Sequence, residues 1–178
     1  MDGQPFTLLP FPGAPAPALH IRGSASREGA LLTVAWALSG AVAAVEWPEP
    51  EAGPERRDQL WQATCCEFFL ARPAEPGYWE ANCSPAGHWQ LYRFDGYRTG
   101  MRPEGAISPP ALAASRSDET LSLTACLDLS PLCGSKEPLL LGATMVVRGR
   151  DGGTSYWAPA HPGERPDFHL RPGWTIAL

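Results

Sequence analysis

Twenty prolines and eighteen glycines are scattered through the 178 residues without any repeat period. They cut the apolar sequence into short runs bounded by turn formers, and this limits the possible folds more than any other feature. Amphipathic helices need long uninterrupted stretches, whereas short apolar or alternating runs suit strands that reverse repeatedly. The aperiodic spread excludes collagen-like and low-complexity architectures. Hydrophobic residues make up 44% and charged residues 19%, enough for a core and too little charge for global disorder. The length fits one domain.

Residues 6–9 read as a short strand, and 11–18 (FPGAPAPA) as a proline-rich extended segment. Residues 1–18 are therefore expected to lead into a single domain spanning 19–178. Residues 31–38 (LLTVAWAL) read as a buried strand, with 42–47 as its partner across a Ser39–Gly40 turn. The proline-bearing stretch 48–57 is a polar loop. Three aromatic-rich strands follow at 64–70, 78–84 and 89–94, the last two close enough to form an antiparallel hairpin. Residues 121–127, 139–147, 154–157 and 174–178 continue the pattern. About ten strands and no convincing long helix predict an all-β, two-sheet antiparallel β-sandwich of jelly-roll type.

A net charge of −5 with no basic cluster argues against a nucleic-acid partner. No stretch approaches the roughly 20 apolar residues of a membrane span. The start, Met1-Asp2-Gly3-Gln4-Pro5, lacks the charged and apolar regions of a signal peptide, so a cytoplasmic location is expected. Cys65, Cys66, Cys83, Cys126 and Cys133 are odd in number and show no C-x-x-C spacing. They are expected to be buried small hydrophobes rather than zinc ligands.

Alternation along a strand places Tyr78, Glu80, Asn82 and Ser84 on one face and Trp79, Ala81 and Cys83 on the other. Glu67 likewise lies opposite Cys66 and Phe68. A glutamate in such apolar company is costly to bury without a partner. Glu67 and Glu80 on neighbouring strands thus call for arginines, of which Arg93, Arg98 and Arg102 follow closely, or for a hydroxyl-rich ligand. A solvated outer face with weak ion pairs is the plain alternative. Trp61 either stacks on a ligand or covers the end of the core. The tail holds His161, Asp167 and His169 in one proline-stiffened loop, a set compatible with a two-histidine, one-carboxylate metal site or with backbone capping. No G-x-S-x-G, H-E-x-x-H or phosphate-binding glycine loop is present. The Glu67/Glu80 pair suits acid–base work on a glycosidic bond only at the right separation.

Residues 58–62 (DQLWQ) with 64–70 (TCCEFFL), 78–89 (YWEANCSPAGHW) and 92–98 (YRFDGYR) resemble the bacterial DOMON-like proteins. These are grouped with carbohydrate-binding module family nine and the haem-binding DOMON domains. The stretch from Tyr156-Trp157 to His169 resembles the C-terminal signature of the same group, and the likeness covers most of the chain from about residue 20. It implies a β-sandwich whose concave face holds a sugar or a haem. In sugar-binding relatives a tryptophan stacks on the sugar and a strand glutamate bonds its hydroxyls; Trp61 and Glu67 match them, and Trp157 matches a second clamping tryptophan. Haem-binding relatives use an early methionine and a late histidine. His161 matches the histidine, but the methionine has no counterpart among Met1, Met101 and Met145. The pair Cys65–Cys66 and Cys83 depart from the group's usual residues while keeping those positions apolar.

The sequence therefore predicts a noncatalytic binder of a small carbohydrate or similar polyhydroxylated ligand, with no required cofactor. Its expected site is Trp61 and Trp157 as stacking walls, Glu67, Glu80, Asn82 and Arg93 as polar support, and His161, Asp167 and His169 at the rim. The alternatives are a redox module binding haem through His161, and an enzyme using Glu67, Glu80 and the tail histidines.

Overall fold

The computed structural model describes residues 3–178, so the first two residues of the expected lead-in, and the reading of Met1-Asp2 as the start of no export signal, lie outside the described residues. Twelve strands run in the order β1 (Gln4–Pro10), β2 (Leu19–Glu28), β3 (Leu31–Gly40), β4 (Cys65–Ala71), β5 (Tyr78–Cys83), β6 (Trp89–Phe94), β7 (Arg102–Pro103), β8 (Ala111–Arg116), β9 (Thr120–Asp128), β10 (Leu140–Arg148), β11 (Thr154–Ala158) and β12 (Ile176–Ala177). All ladders between them are antiparallel. One sheet has the order β8-β9-β3-β2-β1, the other β1-β11-β10-β4-β5-β6-β7, with β12 beside the start of β10. The protein is an all-β sandwich. No described helix is long and apolar enough to cross a membrane.

The main core fills the space between the sheets and includes Leu8, Ile21, Trp36, Phe68, Leu91 and Trp157. Trp36 and Phe68 stack across it with ring centroids 6.4 Å apart. A second cluster, Phe69, Ala71, Tyr78, Tyr92, Phe94 and Trp174, covers the opposite face of the β4–β6 region. Burial on both faces explains the unbroken apolar run of β4, where every residue is buried. The C-terminal tail supplies the outer cover, with Trp174 stacked on Phe69 at 5.4 Å. The solvated outer face considered from sequence is therefore absent around Glu67 and Glu80, both buried.

Several boundaries differ from the sequence reading. Residues 4–10 are not outside the domain: β1 joins the sheets, pairing with β2 through residues 4–8 and with β11 through Leu9 and Pro10, and it carries Phe6 and Leu8 into the core. Residues 42–47 are no partner strand of β3; Val42–Ala44 is a short 3₁₀ turn, and β3 pairs instead with β2 and β9. The sequence left β2 unassigned because its inward positions are Leu19, Ile21 and Ala25, with Gly23 between them. Gly23 is required there, since a Cβ would lie 2.2 Å from the Phe6 ring. The edge strand β8 escaped notice because its residues are exposed or half-buried and give no apolar face. The hairpin of β5 and β6 forms as predicted, with Tyr78 opposite Phe94 and Cys83 opposite Trp89.

Candidate functional site

Registers fix the outer face of the second sheet. Glu67 on β4 pairs with Asn82 on β5 and with Thr144 on β10, while Glu80 pairs with Phe69 and Tyr92. Cross-strand neighbours share a face. Glu67, Phe69, Glu80, Tyr92, Phe94 and Thr144 therefore point the same way, opposite Phe68 and Trp79 in the core. Beyond the edge of β10, Val146 pairs with Tyr156 on β11, which brings that tyrosine to the same face.

A cavity of about 310 Å³ opens on this face. Its aromatic lining comes from separate elements: Trp61 from the 3₁₀ turn Leu60–Gln62, Tyr156 from β11 and Phe168 from the C-terminal tail. Trp61 is braced edge-on by Tyr92 at 5.9 Å, and Tyr156 by Phe168 at 6.0 Å. Phe69 and Phe94 contribute apolar lining; Glu67, Glu80, His169 and Arg98 are the ionisable groups.

Glu80, His169 and Arg98 belong to one connected set, from which Glu67 stands apart. Asn82 donates from its amide to Glu80 Oε1 at 2.9 Å and faces the Cys65 thiol, 3.7 Å from its Oδ1. His169 Nε2 lies 3.6 Å from Glu80 Oε2, and its Nδ1 lies 2.6 Å from the Tyr78 hydroxyl. That hydroxyl accepts a bond from the Arg98 amide at 3.2 Å. Either the phenol or the ring Nδ1 donates the Tyr78–His169 bond, and the tautomer sets whether Nε2 offers Glu80 a proton or a lone pair. Arg98 adopts a left-handed backbone, φ +52°, in the turn that presents both its amide and its guanidinium.

Burial dominates the protonation of the site. It drives the Glu67 carboxyl well above its ordinary range, and the nearby Glu80 adds to the rise. Burial also raises Glu80, against the lowering effects of the Asn82 bond and of Arg98. His169 is pushed down to about 4 by burial and then by the Arg98 charge. Burial pushes Tyr78 up to about 12. The floor of the cavity at neutral pH therefore combines an uncharged imidazole, an uncharged phenol and carboxyls that resist ionisation. Glu67 Oε1 and Thr144 Oγ1 are buried without a hydrogen-bond partner among the described residues. Such unsatisfied atoms are uncommon in folded proteins.

Of the residues singled out by sequence, Trp61, Glu67, Glu80 and His169 line this one cavity. Asn82 is fully buried behind it and orients Glu80. Asp167 holds the rim: it takes bonds from Arg98 at 2.8 Å and from the Tyr97 hydroxyl. Burial alone would raise its pKa, but those two bonds together hold it below the usual carboxylate value. Three placements need correction. Trp157 faces the core, 2% exposed, with its indole N–H given to Ser155 Oγ at 2.9 Å. Period two puts its neighbour Tyr156 on the cavity side instead. Arg93 is cross-strand from Trp79, on the opposite face, with its guanidinium 5.9 Å from that indole ring. His161 lies outside the cavity, its Nε2 2.9 Å from the Leu9 carbonyl and its ring edge-on to Phe11.

No group of three or more metal-ligating side chains forms among the described residues, so His161, Asp167 and His169 do not converge. Sequence reasoning missed Tyr156, Phe168 and Met101 as lining residues, whereas Arg98, one of the arginines it offered to the glutamates, does line the cavity. Only the alternation along residues 154–158 carried a signal for Tyr156, and it needed the β10–β11 register to become usable.

Neither a family model nor a curated protein matches the chain. Solved structures resemble it in fold. A protein from Bacteroides uniformis, to which carbohydrate binding has been ascribed, superposes with a TM-score of 0.68 at 16% identity, over 97% of this chain and 84% of the other. A carbohydrate-binding module of family nine from Caldicellulosiruptor kristjanssonii, in complex with cellotriose, gives a TM-score of 0.52 at 10% identity, over 88% and 72% of the two chains. At these identities the likeness establishes the sandwich architecture.

Proposed function

We propose that the protein is a noncatalytic carbohydrate-binding sandwich, or a binder of a similar polyhydroxylated small molecule, and that the cavity between Trp61 and Tyr156 is its site. The observation that carries this reading is the pairing of two aromatic walls with a floor of buried carboxyls, one of which leaves Glu67 Oε1 without a partner. Sugar rings offer apolar faces that stack on aromatic side chains and a girdle of hydroxyls that both donate and accept. The cavity lies at the small end of the usual range for small-molecule sites, roughly 300–1,000 Å³, which suits one or two rings. The cellotriose-bound module of the same architecture supports the class of ligand. So does the resemblance that matched Trp61 and Glu67, which here face one space.

A catalytic reading has less support. A glycosidase needs one ionised and one protonated carboxyl. Here burial moves Glu67 and Glu80 in the same direction. The residues do not fit a haem either: His161 lies away from the cavity, and His169, which lines it, has Nδ1 on Tyr78 and Nε2 facing Glu80.

Calorimetry with hexoses and short β-linked oligosaccharides tests the proposal. Saturable binding that disappears in Trp61→Ala or Tyr156→Ala supports it. Absence of binding across the panel by the folded parent contradicts it.

A further inference from the structure

Neutral sugar hydroxyls do not require two buried carboxyls on adjacent strands. The oxygens of Glu80 already face Asn82 and His169, whereas Glu67 Oε1 faces no donor among the described residues. Among the described residues no cation is paired with Glu67. The single lysine, Lys136, is exposed in the loop before β10. Arg93 is on the other face of the sheet, and Arg98 is bound to Asp167. The surrounding rings of Trp61, Phe69, Tyr156 and Phe168 present π-systems that attract cations. An aromatic enclosure with an unmatched acid at its base is the environment in which an ammonium group is stabilised twice, by ring faces and by a carboxylate.

We propose that the ligand carries a protonated amine beside its hydroxyls, making the site selective for an amino sugar over the corresponding neutral sugar. This rests on the sugar-binding reading of the same cavity. Binding exchanges one cation for another: the carboxyl proton of the Glu67/Glu80 pair leaves for solvent as the ammonium enters, and the carboxylate so formed is neutralised on the spot. Burial, which disfavours the lone carboxylate, is offset only when the amine is present. The groups facing the pair are Thr144 from β10, the Cys65 thiol from β4, Tyr78, Asn82 and Tyr92 from β5 and β6, Arg98 from the following turn, and His169 from the tail. Cys66 and Cys83 lie on the far side of the same strands and carry raised thiol values, so they stay neutral. Of all these, Arg98 alone is cationic, and it is tied to Asp167.

The test compares glucosamine, galactosamine and mannosamine with glucose, galactose, mannose and the N-acetylated forms, by calorimetry below the pKa of the sugar amine. At least one hexosamine is expected to bind about tenfold tighter or more than its neutral counterpart, the scale of replacing a neutral hydrogen bond by a charged one. N-acetylation, which keeps the ring and removes the charge, returns binding to the neutral level. Repeating the titration in buffers of different ionisation enthalpy reads about one proton released per ligand bound. Glu67→Gln, which mimics the protonated acid in shape, removes both the preference and the proton release while its thermal melt stays cooperative. Equal binding of neutral and amino sugars, or amine preference without proton release, overturns this inference and leaves sugar binding standing. Binding of no sugar at all overturns both.

Discussion

Glu67 and Thr144 face each other across β4 and β10, and each leaves a buried side-chain oxygen without a hydrogen-bond partner. A buried polar group without a partner costs more than one exposed to water, and two such groups side by side cost more again. The second sheet would be more stable with apolar residues at these positions. Their presence on the floor of an aromatic-walled cavity is the strongest structural sign of a site shaped for a ligand.

The stability profile of Glu67→Gln follows from this burial. An acid whose folded pKa is raised stabilises the fold fully below its unfolded value of about 4.5, and that contribution is lost as pH rises through the folded value. The glutamine variant has no such loss. Its stability relative to the parent is therefore expected to be constant at low pH and to increase as pH climbs above about 4.5. Urea melts across that range check the sign; a difference that stays flat with pH contradicts the burial argument.

Trp61 and Trp157 are expected to respond in opposite ways to truncation. Trp61 is half-buried and rests edge-on against Tyr92, so Trp61→Ala should cost about 1 kcal/mol and abolish sugar binding. Trp157 sits in the core, and Trp157→Ala should cost about 3–5 kcal/mol. Denaturant midpoints for the two variants decide between these placements.

Gly142 lies opposite Phe69 on β10, and a Cβ there would come within 2.4 Å of the Trp174 ring. Gly142→Ala should push Trp174 off its stack on Phe69 and cost about 1–3 kcal/mol. Because Phe69 lines the cavity, ligand affinity should fall with it. Retained stability and affinity together would show that the tail cover yields without consequence.

Much of this architecture was legible in residues 64–94, where short aromatic strands and turn formers predict the β4–β5–β6 meander and place Glu67 and Glu80 on one face. The faces followed from period two. What covers them did not, because the cover comes from residues 159–174, whose contacts with β4 and β5 are far apart in sequence. The same limit explains Trp157: the resemblance matched it to a second clamping tryptophan, but only the pairing of Val146 with Tyr156 shows which of the two adjacent aromatics faces the cavity. His161 and His169 were likewise indistinguishable until the tail was placed.

Tyr78 supplies a separate check on the polar network. Its hydroxyl lies 2.6 Å from His169 Nδ1, and a bond donated there by the phenol requires a lone pair that only the neutral imidazole has. In Tyr78→Phe the His169 titration midpoint, read by NMR, should move up from about 4 towards the ordinary histidine value. In the parent, His169 contributes stability that is present above about 6.5 and lost as pH falls through about 4. An unchanged midpoint in the variant would remove Tyr78 from this network.

The most direct measurement is an NMR titration of the tryptophan indole N–H signals with hexoses, hexosamines and β-linked oligosaccharides. The seven tryptophans report from different places, with Trp36 and Trp157 fixed in the core and Trp61 at the cavity wall. A saturable shift of the Trp61 signal, with Trp36 and Trp157 unmoved, is the result predicted here. A ligand that shifts other indoles and leaves Trp61 in place, or a panel that shifts none, contradicts the assignment of this cavity as the binding site.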